Sequence, residues 1–177
     1  MRAIVLAFML LFFAPSARAD AVLVDAVAAR VEDKVILVSD VRERARPRIK
    51  RGEVAGRAMR AAVEELIDAT LVAKEAKRLH LEVTPDETKR ARAAVASQNG
   101  FDDEQLSAEI KKQGMTDASW EALIREQLFE GKLLSLSIAN SGRPRPEKPE
   151  EYEAWAAKER EATLKRLRAA ATIEVRL

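Results

Sequence analysis

Catalysis needs nucleophiles, bases or ligands in company, and this sequence offers few. It holds one histidine, His80, and no cysteine. Within these residues there can be no disulfide, thiolate metal site, cysteine nucleophile or lipid-modified cysteine. His80 follows Lys77 and Arg78 and reads as a helix C-cap. As a pH switch or metal ligand it would need partners that the sequence does not group around it. The acid pairs Glu64-Glu65, Asp102-Asp103 and Glu150-Glu151 could suggest acid–base work. Each falls at a helix start or on an exposed face, where carboxylates favour the helix dipole or solvent. Ser39, Ser119 and Ser141 have no base network, and there is neither a Gly-x-Ser-x-Gly elbow nor a phosphate loop. No cofactor or metal is expected. Binding, not catalysis, is the chemistry left open.

The elements that would position a binding surface begin after residue 19. Arg2 precedes an apolar run of twelve residues, Ala3 to Ala14, followed by Pro15 and by Ala17-Arg18-Ala19. This is the pattern of a secretory signal peptide, too short for a membrane span. Cleavage before Asp20 leaves 158 of the 177 residues, with 29 basic and 29 acidic side chains. The exported chain is then formally neutral, with no transmembrane segment. No dense basic patch with interleaved aromatics calls for nucleic acid. Charged residues make up 34% and aromatics 5%, and Ala, Leu, Glu, Lys and Arg dominate, which favours helices.

Residues 25–38 read as a hairpin, with Val27, Ala29 and Val31 alternating, a turn at Glu32-Asp33-Lys34, and the run Val35 to Val38. Ser39 is placed to cap a short helix from Asp40 that Pro47 ends or kinks. A long helix after Gly52 and Gly56 carries Met59, Val63, Leu66, Ile67 and Leu71 on one stripe. Thr84-Pro85-Asp86-Glu87 is a capping box opening a helix that ends at Asn99-Gly100, with Ala91, Ala94 and Val95 inward. Asp102 and Thr116 start two further helices, the first ending at Gly114 and the second running to Ile138. Residues 140–149, with Gly142 and three prolines, form a linker. A last helix over about 150–168 leads to the strand ATIEVRL, in which Ile173, Val175 and Leu177 alternate with polar neighbours. A lone hairpin is marginal in water, so this strand is expected to pair with it.

That order of elements resembles the SurA-type periplasmic chaperones. VAARVEDKVILVSDVRER (27–44) is similar to the family's opening hairpin and helix. LIDATLVAKEAKRLHLEVTPDET (66–88) and QNGFDDEQLSAEIKKQGMTDASWEALIREQL (98–128) resemble its central helices, and AWAAKEREATLKRLRAAATIEVRL its closing helix and strand. The resemblance implies a mostly α fold: a helical chaperone core with a small β-sheet of N-terminal hairpin and C-terminal strand. It implies a signal over 1–19, a helical domain over 20–139, a linker over 140–149, and residues 150–177 completing that domain. Family members usually carry parvulin-type prolyl isomerase domains where this chain has only the linker. The resemblance therefore implies the chaperone core without isomerase activity.

It also implies a periplasmic holding protein for unfolded polypeptide clients, outer membrane proteins among them. Met59, Met115, Trp120, Phe129, Leu133, Tyr152 and Trp155 are the candidates to line its groove. Methionine suits a promiscuous surface because it adapts its shape. Packing in the core is the competing role for most of them. The alternative function is a non-catalytic envelope adaptor that binds one folded partner. Mass spectrometry of the envelope form should find an N-terminus at Asp20; a mature chain still holding Leu10 and Phe12 would contradict the signal.

Overall fold

The computed structural model describes residues 25–142, 146 and 148–176; the signal and cleavage residues Ala17, Ala19 and Asp20 lie outside them. Strands β1 (Val27–Val31) and β2 (Lys34–Leu37) are followed by helices α1 (Val38–Lys50), α2 (Ala55–Arg78), α3 (Pro85–Gln98), α4 (Asp103–Lys112), α5 (Asp117–Ser141) and α6 (Pro149–Ala169). Strand β3 (Ile173–Val175) closes the chain. The fold is thus mostly α, with one three-stranded antiparallel sheet ordered β2-β1-β3.

The apolar stripe of α2 organises the packing. Ile67 is fully buried, and Val63, Leu71 and Val72 are nearly so. They meet Ala28, Ala29 and Val31 of β1, Val41 and Ala45 of α1, Leu133 of α5 and Leu167 of α6. Each buried aliphatic side chain contributes about 1.5–3 kcal/mol. A smaller cluster of Ala96, Leu106 and Ile110, with Val95, Met115 and Trp120, joins α3, α4 and α5. There the Arg92 guanidinium lies 5.5 Å from the Trp120 ring centroid and donates to Ser107 at 2.7 Å and to Asp117 at 3.2 Å.

Helices α1 to α4 all end alike. After α2, the His80 N–H donates to the Lys77 carbonyl at 3.1 Å and the Leu81 N–H to the Ala76 carbonyl at 2.8 Å. This crossed pair satisfies carbonyls that a helix end leaves open. It needs one residue in the left-handed region, supplied by Gly52, His80, Gly100 and Gly114 at the four ends. Capping boxes at Thr84, Asp102 and Thr116 then start the next helices.

Several local expectations are corrected. Ser39 does not cap α1, which begins one residue earlier at Val38. The Asp25 carboxylate accepts from the Ser39 N–H instead, at 3.3 Å, and Asp40 reaches back to the Leu37 N–H at 3.1 Å. Pro47 does not end α1, which runs on to Lys50. The hydrogen bond that Pro47 cannot make would go to Glu43, an exposed residue whose carbonyl water can serve. On α3, Ala94 is exposed; Thr88 and Ala96 are buried, and Val95 packs half-buried beside them as expected. Strand β3 pairs with β1 as expected, Val31 opposite Ile173 and Ala29 opposite Val175. It does not bury a full apolar face: Ile173 is half-buried and Val175 is 52% exposed. It is an edge strand packed against β1, without the helical cover that α2 gives β1 and β2.

His80 is the one non-glycine among the left-handed residues at the ends of α1 to α5, with φ of 54°. A Cβ in that region costs about 1–2 kcal/mol, and glycine's greater unfolded freedom offsets about half. His80→Gly should therefore raise stability by about 0.5–1 kcal/mol in urea unfolding. A loss would mean that the imidazole makes a contact worth more than the strain.

Candidate functional site

A concave trough lies over α2. Its floor is Leu66, Ala69 and Val72 of α2, with Leu123 of α5 and Leu164 of α6. Two adjoining cavities of about 440 and 320 Å³ share Arg44 and Leu123. The first runs between α1 and the start of α5, with Pro47 on one wall and Met115 and Ala122 on the other. The second continues between α5 and α6.

Polar side chains line the walls, and most are already paired. Arg44 Nη2 donates to both Glu126 carboxylate oxygens at 2.8 Å, linking α1 to α5. Arg160 of α6 bridges to Glu130 of α5. Arg168 donates to Asp68 at 2.6 Å and Arg48 bridges to Glu65, which draws both carboxylates toward partners outside the trough. Those pairs hold the Arg160 and Arg168 guanidinium pKa values above the ordinary arginine value, chiefly through the hydrogen bonds to Glu130 and Asp68. The site can therefore bury apolar groups on its floor and offer exchangeable ion pairs at its walls. Among the described residues no cluster of His, Asp and Glu is arranged to hold a metal ion. None of the helices there is long and apolar enough to cross a membrane.

The seven candidate residues do not converge. Met115 lines one end of the trough. Met59 and Phe129 are half-buried against the main core, and Leu133, 3% exposed, is part of it. Trp120 packs in the second cluster beside Arg92. Tyr152 and Trp155 pair on α6 with ring centroids 5.8 Å apart. Sequence reasoning passed over Arg44, Ala69, Val72 and Leu164. The available signal was the width of the α2 stripe: Ala62, Ala69 and Val72 extend it past the arc that one neighbouring helix can cover.

A hairpin, a helical body and a terminal strand returning to the hairpin are the elements of the chaperone-type family that the sequence resembles. The profile of the SurA-like N-terminal domain matches residues 1–134, and the chain belongs to that family. The match covers the sheet's hairpin and helices α1 to α4 with most of α5; α6 and β3 lie beyond it. No curated protein matches the chain.

One wall of the body depends on a carboxylate. Glu87 accepts from Lys132 and from the Thr84 backbone N–H at 2.9 Å, and these hold its pKa down at about 2. A lowered carboxylate pKa stabilises the fold above the unfolded value, and that stability is lost as pH falls toward 2. Glu87→Gln should therefore flatten the decline in the urea midpoint between about pH 4.5 and 2. Parallel curves for the two proteins would exclude this carboxylate from the acid response.

Proposed function

We propose that the protein is a periplasmic holding chaperone. It binds unfolded polypeptide clients, outer membrane proteins among them, reversibly and without catalysis. On this reading residues 20–139 and 150–177 form one domain joined by the linker over 140–149. Membership in the SurA-like family supports the class. The single observation that carries the site is the trough: an apolar floor of Leu66, Leu123 and Leu164, open to solvent and walled by ion pairs.

An unfolded client exposes apolar side chains along an extended backbone. Covering them lowers the concentration of chain free to aggregate. The client must later leave, so contacts should be broad and weak. Partly exposed ion pairs suit such an edge, because each contributes only about 0–1 kcal/mol and can exchange partners. On this reading Tyr152 and Trp155, paired on α6 outside the trough's lining, offer clients a further apolar contact, while Met59, Phe129 and Leu133 serve in the core packing.

The chain should suppress aggregation of two unrelated unfolded proteins at near-stoichiometric ratio. Leu123→Asp places a charge on the floor at a half-buried position. It should weaken client binding by about 10- to 100-fold, the value of one lost leucine contact, while circular dichroism stays unchanged. Suppression of neither protein, with tight capture of one folded envelope protein, would favour the adaptor instead.

A further inference from the structure

A second surface, remote from the trough floor, has a different character. Residues 42–60 carry eight basic and two acidic side chains, a net of +6, whereas the whole chain has a net of +2. The rest of the chain is therefore negative by four charges. The segment forms the α1–α2 hairpin and its tip.

The cations are arranged, not scattered. On α1, Arg42, Arg46, Ile49 and Lys50 fall at i, i+4, i+7 and i+8, one stripe, and all four are exposed. Arg51, Arg57 and Arg60 continue it around the turn and are exposed as well. Among the described residues, none of the six cations Arg42, Arg46, Lys50, Arg51, Arg57 and Arg60 has a carboxylate within ion-pair distance. Arg46 and Lys50 donate only to backbone carbonyls, of Gly114 at 3.5 Å and Lys112 at 3.3 Å. The two acids of the segment leave this excess standing: Glu53 is taken by Arg48 at 3.5 Å, and Glu43 is one exposed charge; the other exposed acid of α1, Asp40, lies at the far end of the helix and accepts from the Leu37 N–H.

Two apolar side chains stand out of the same tip. Val54 is 69% exposed and Ile49 40%. At a helical rise of 1.5 Å per residue, Arg46, Lys50, Arg51, Arg57 and Arg60 all lie within about 10 Å of the turn along the helix axes.

We infer that the α1–α2 tip docks on an anionic phospholipid surface, with Ile49 and Val54 entering the interface and the surrounding cations meeting lipid phosphates. Charge complementarity selects the partner. A convex tip with aliphatic residues at its apex and cations around them matches a flat, anionic, penetrable surface. Nucleic acid is a poorer fit, because the segment has no aromatic residue for base stacking and forms no concave channel for a strand. Neither the six cations nor Ile49 and Val54 line the trough, so docking through them would leave the floor facing solvent.

The test is vesicle sedimentation with the full chain and with its 20–177 form, which retains every described residue. The probes are phosphatidylcholine vesicles and equimolar phosphatidylglycerol–phosphatidylcholine vesicles. Binding should require the anionic lipid and fade as salt approaches about 1 M, where screening acts within about 3 Å. Arg57→Glu should lower binding by about 25-fold, since each unit of charge near such a surface is worth about fivefold. Val54→Ser should lower it further. Neither change should harm the fold: an acid in the first turn and a serine at the N-cap both favour the start of α2. Aggregation suppression in bulk solution should be the same for both variants, which separates this surface from the trough. Equal binding to neutral vesicles, or a doubly substituted chain that binds like the original, would overturn the inference. Displacement by poly-glutamate with no effect of Val54→Ser would also overturn it, pointing to an acidic protein partner.

Discussion

Burying one wide helix face is the constraint on which everything else depends. With no cysteine, the fold rests on packing, and α2 carries its centre. Its apolar positions span more arc than one partner helix can cover, so α1, α5, α6 and the sheet share the task. The trough follows from that division. Where α1, α5 and α6 leave gaps between them, Leu66, Ala69 and Val72 of α2 become its floor. Any substitution that narrows the α2 stripe would change the core and the site together.

Helix ends make that sharing possible. Four successive helices stop on a left-handed residue with the same crossed hydrogen bonds. Each stop turns the chain sharply, and after α2, α3 and α4 a capping box restarts it within a few residues. Long-range ties then fix the returning segments. Strand β3 lies beside β1, and Arg168 of α6 reaches Asp68 and Glu64 of α2. With Val175 half in solvent, the β3 backbone ladder matters more to that return than side-chain burial does.

Signals in the sequence that act over three or four residues were read well. The capping box at Thr84, the N-cap at Asp102, the stop at Gly100 and the hairpin at Glu32-Asp33 all depend on local backbone chemistry and stand where the residues implied. Two errors arose where a distant group decided the outcome. Ser39 looked like a cap, but Asp25 from the strand entry took the helix N–H. Ala94 looked buried by composition, but the approach of α4 and α5 set the inward face of α3 around Thr88, Arg92 and Ala96. The candidate site was less legible for the same reason. A trough is the space left between helices, and apolar side chains that line it have the same residue types as those in the core. Leu123 and Leu133 share one helix and one residue type, yet only closer packing against α2 and α6 makes the second of them core.

Charge shows the limit of whole-chain reasoning most clearly. Formal neutrality of the segment after Ala19 is an average over two opposite environments. In the trough, Arg44 and Arg160 are matched to Glu126 and Glu130, and Asp68 is matched to Arg168 outside it, so the walls present paired charge to a client. At the α1–α2 tip, six exposed cations have no carboxylate within ion-pair distance among the described residues and sit beside exposed aliphatic residues. The average is neutral only because the excess of acids lies elsewhere on the chain. Self-repulsion among the tip cations opposes folding, and a sequence selected for stability alone would dilute them. Their concentration on one solvent stripe, with two apolar side chains at its end, is best explained by a partner that supplies the missing negative charge.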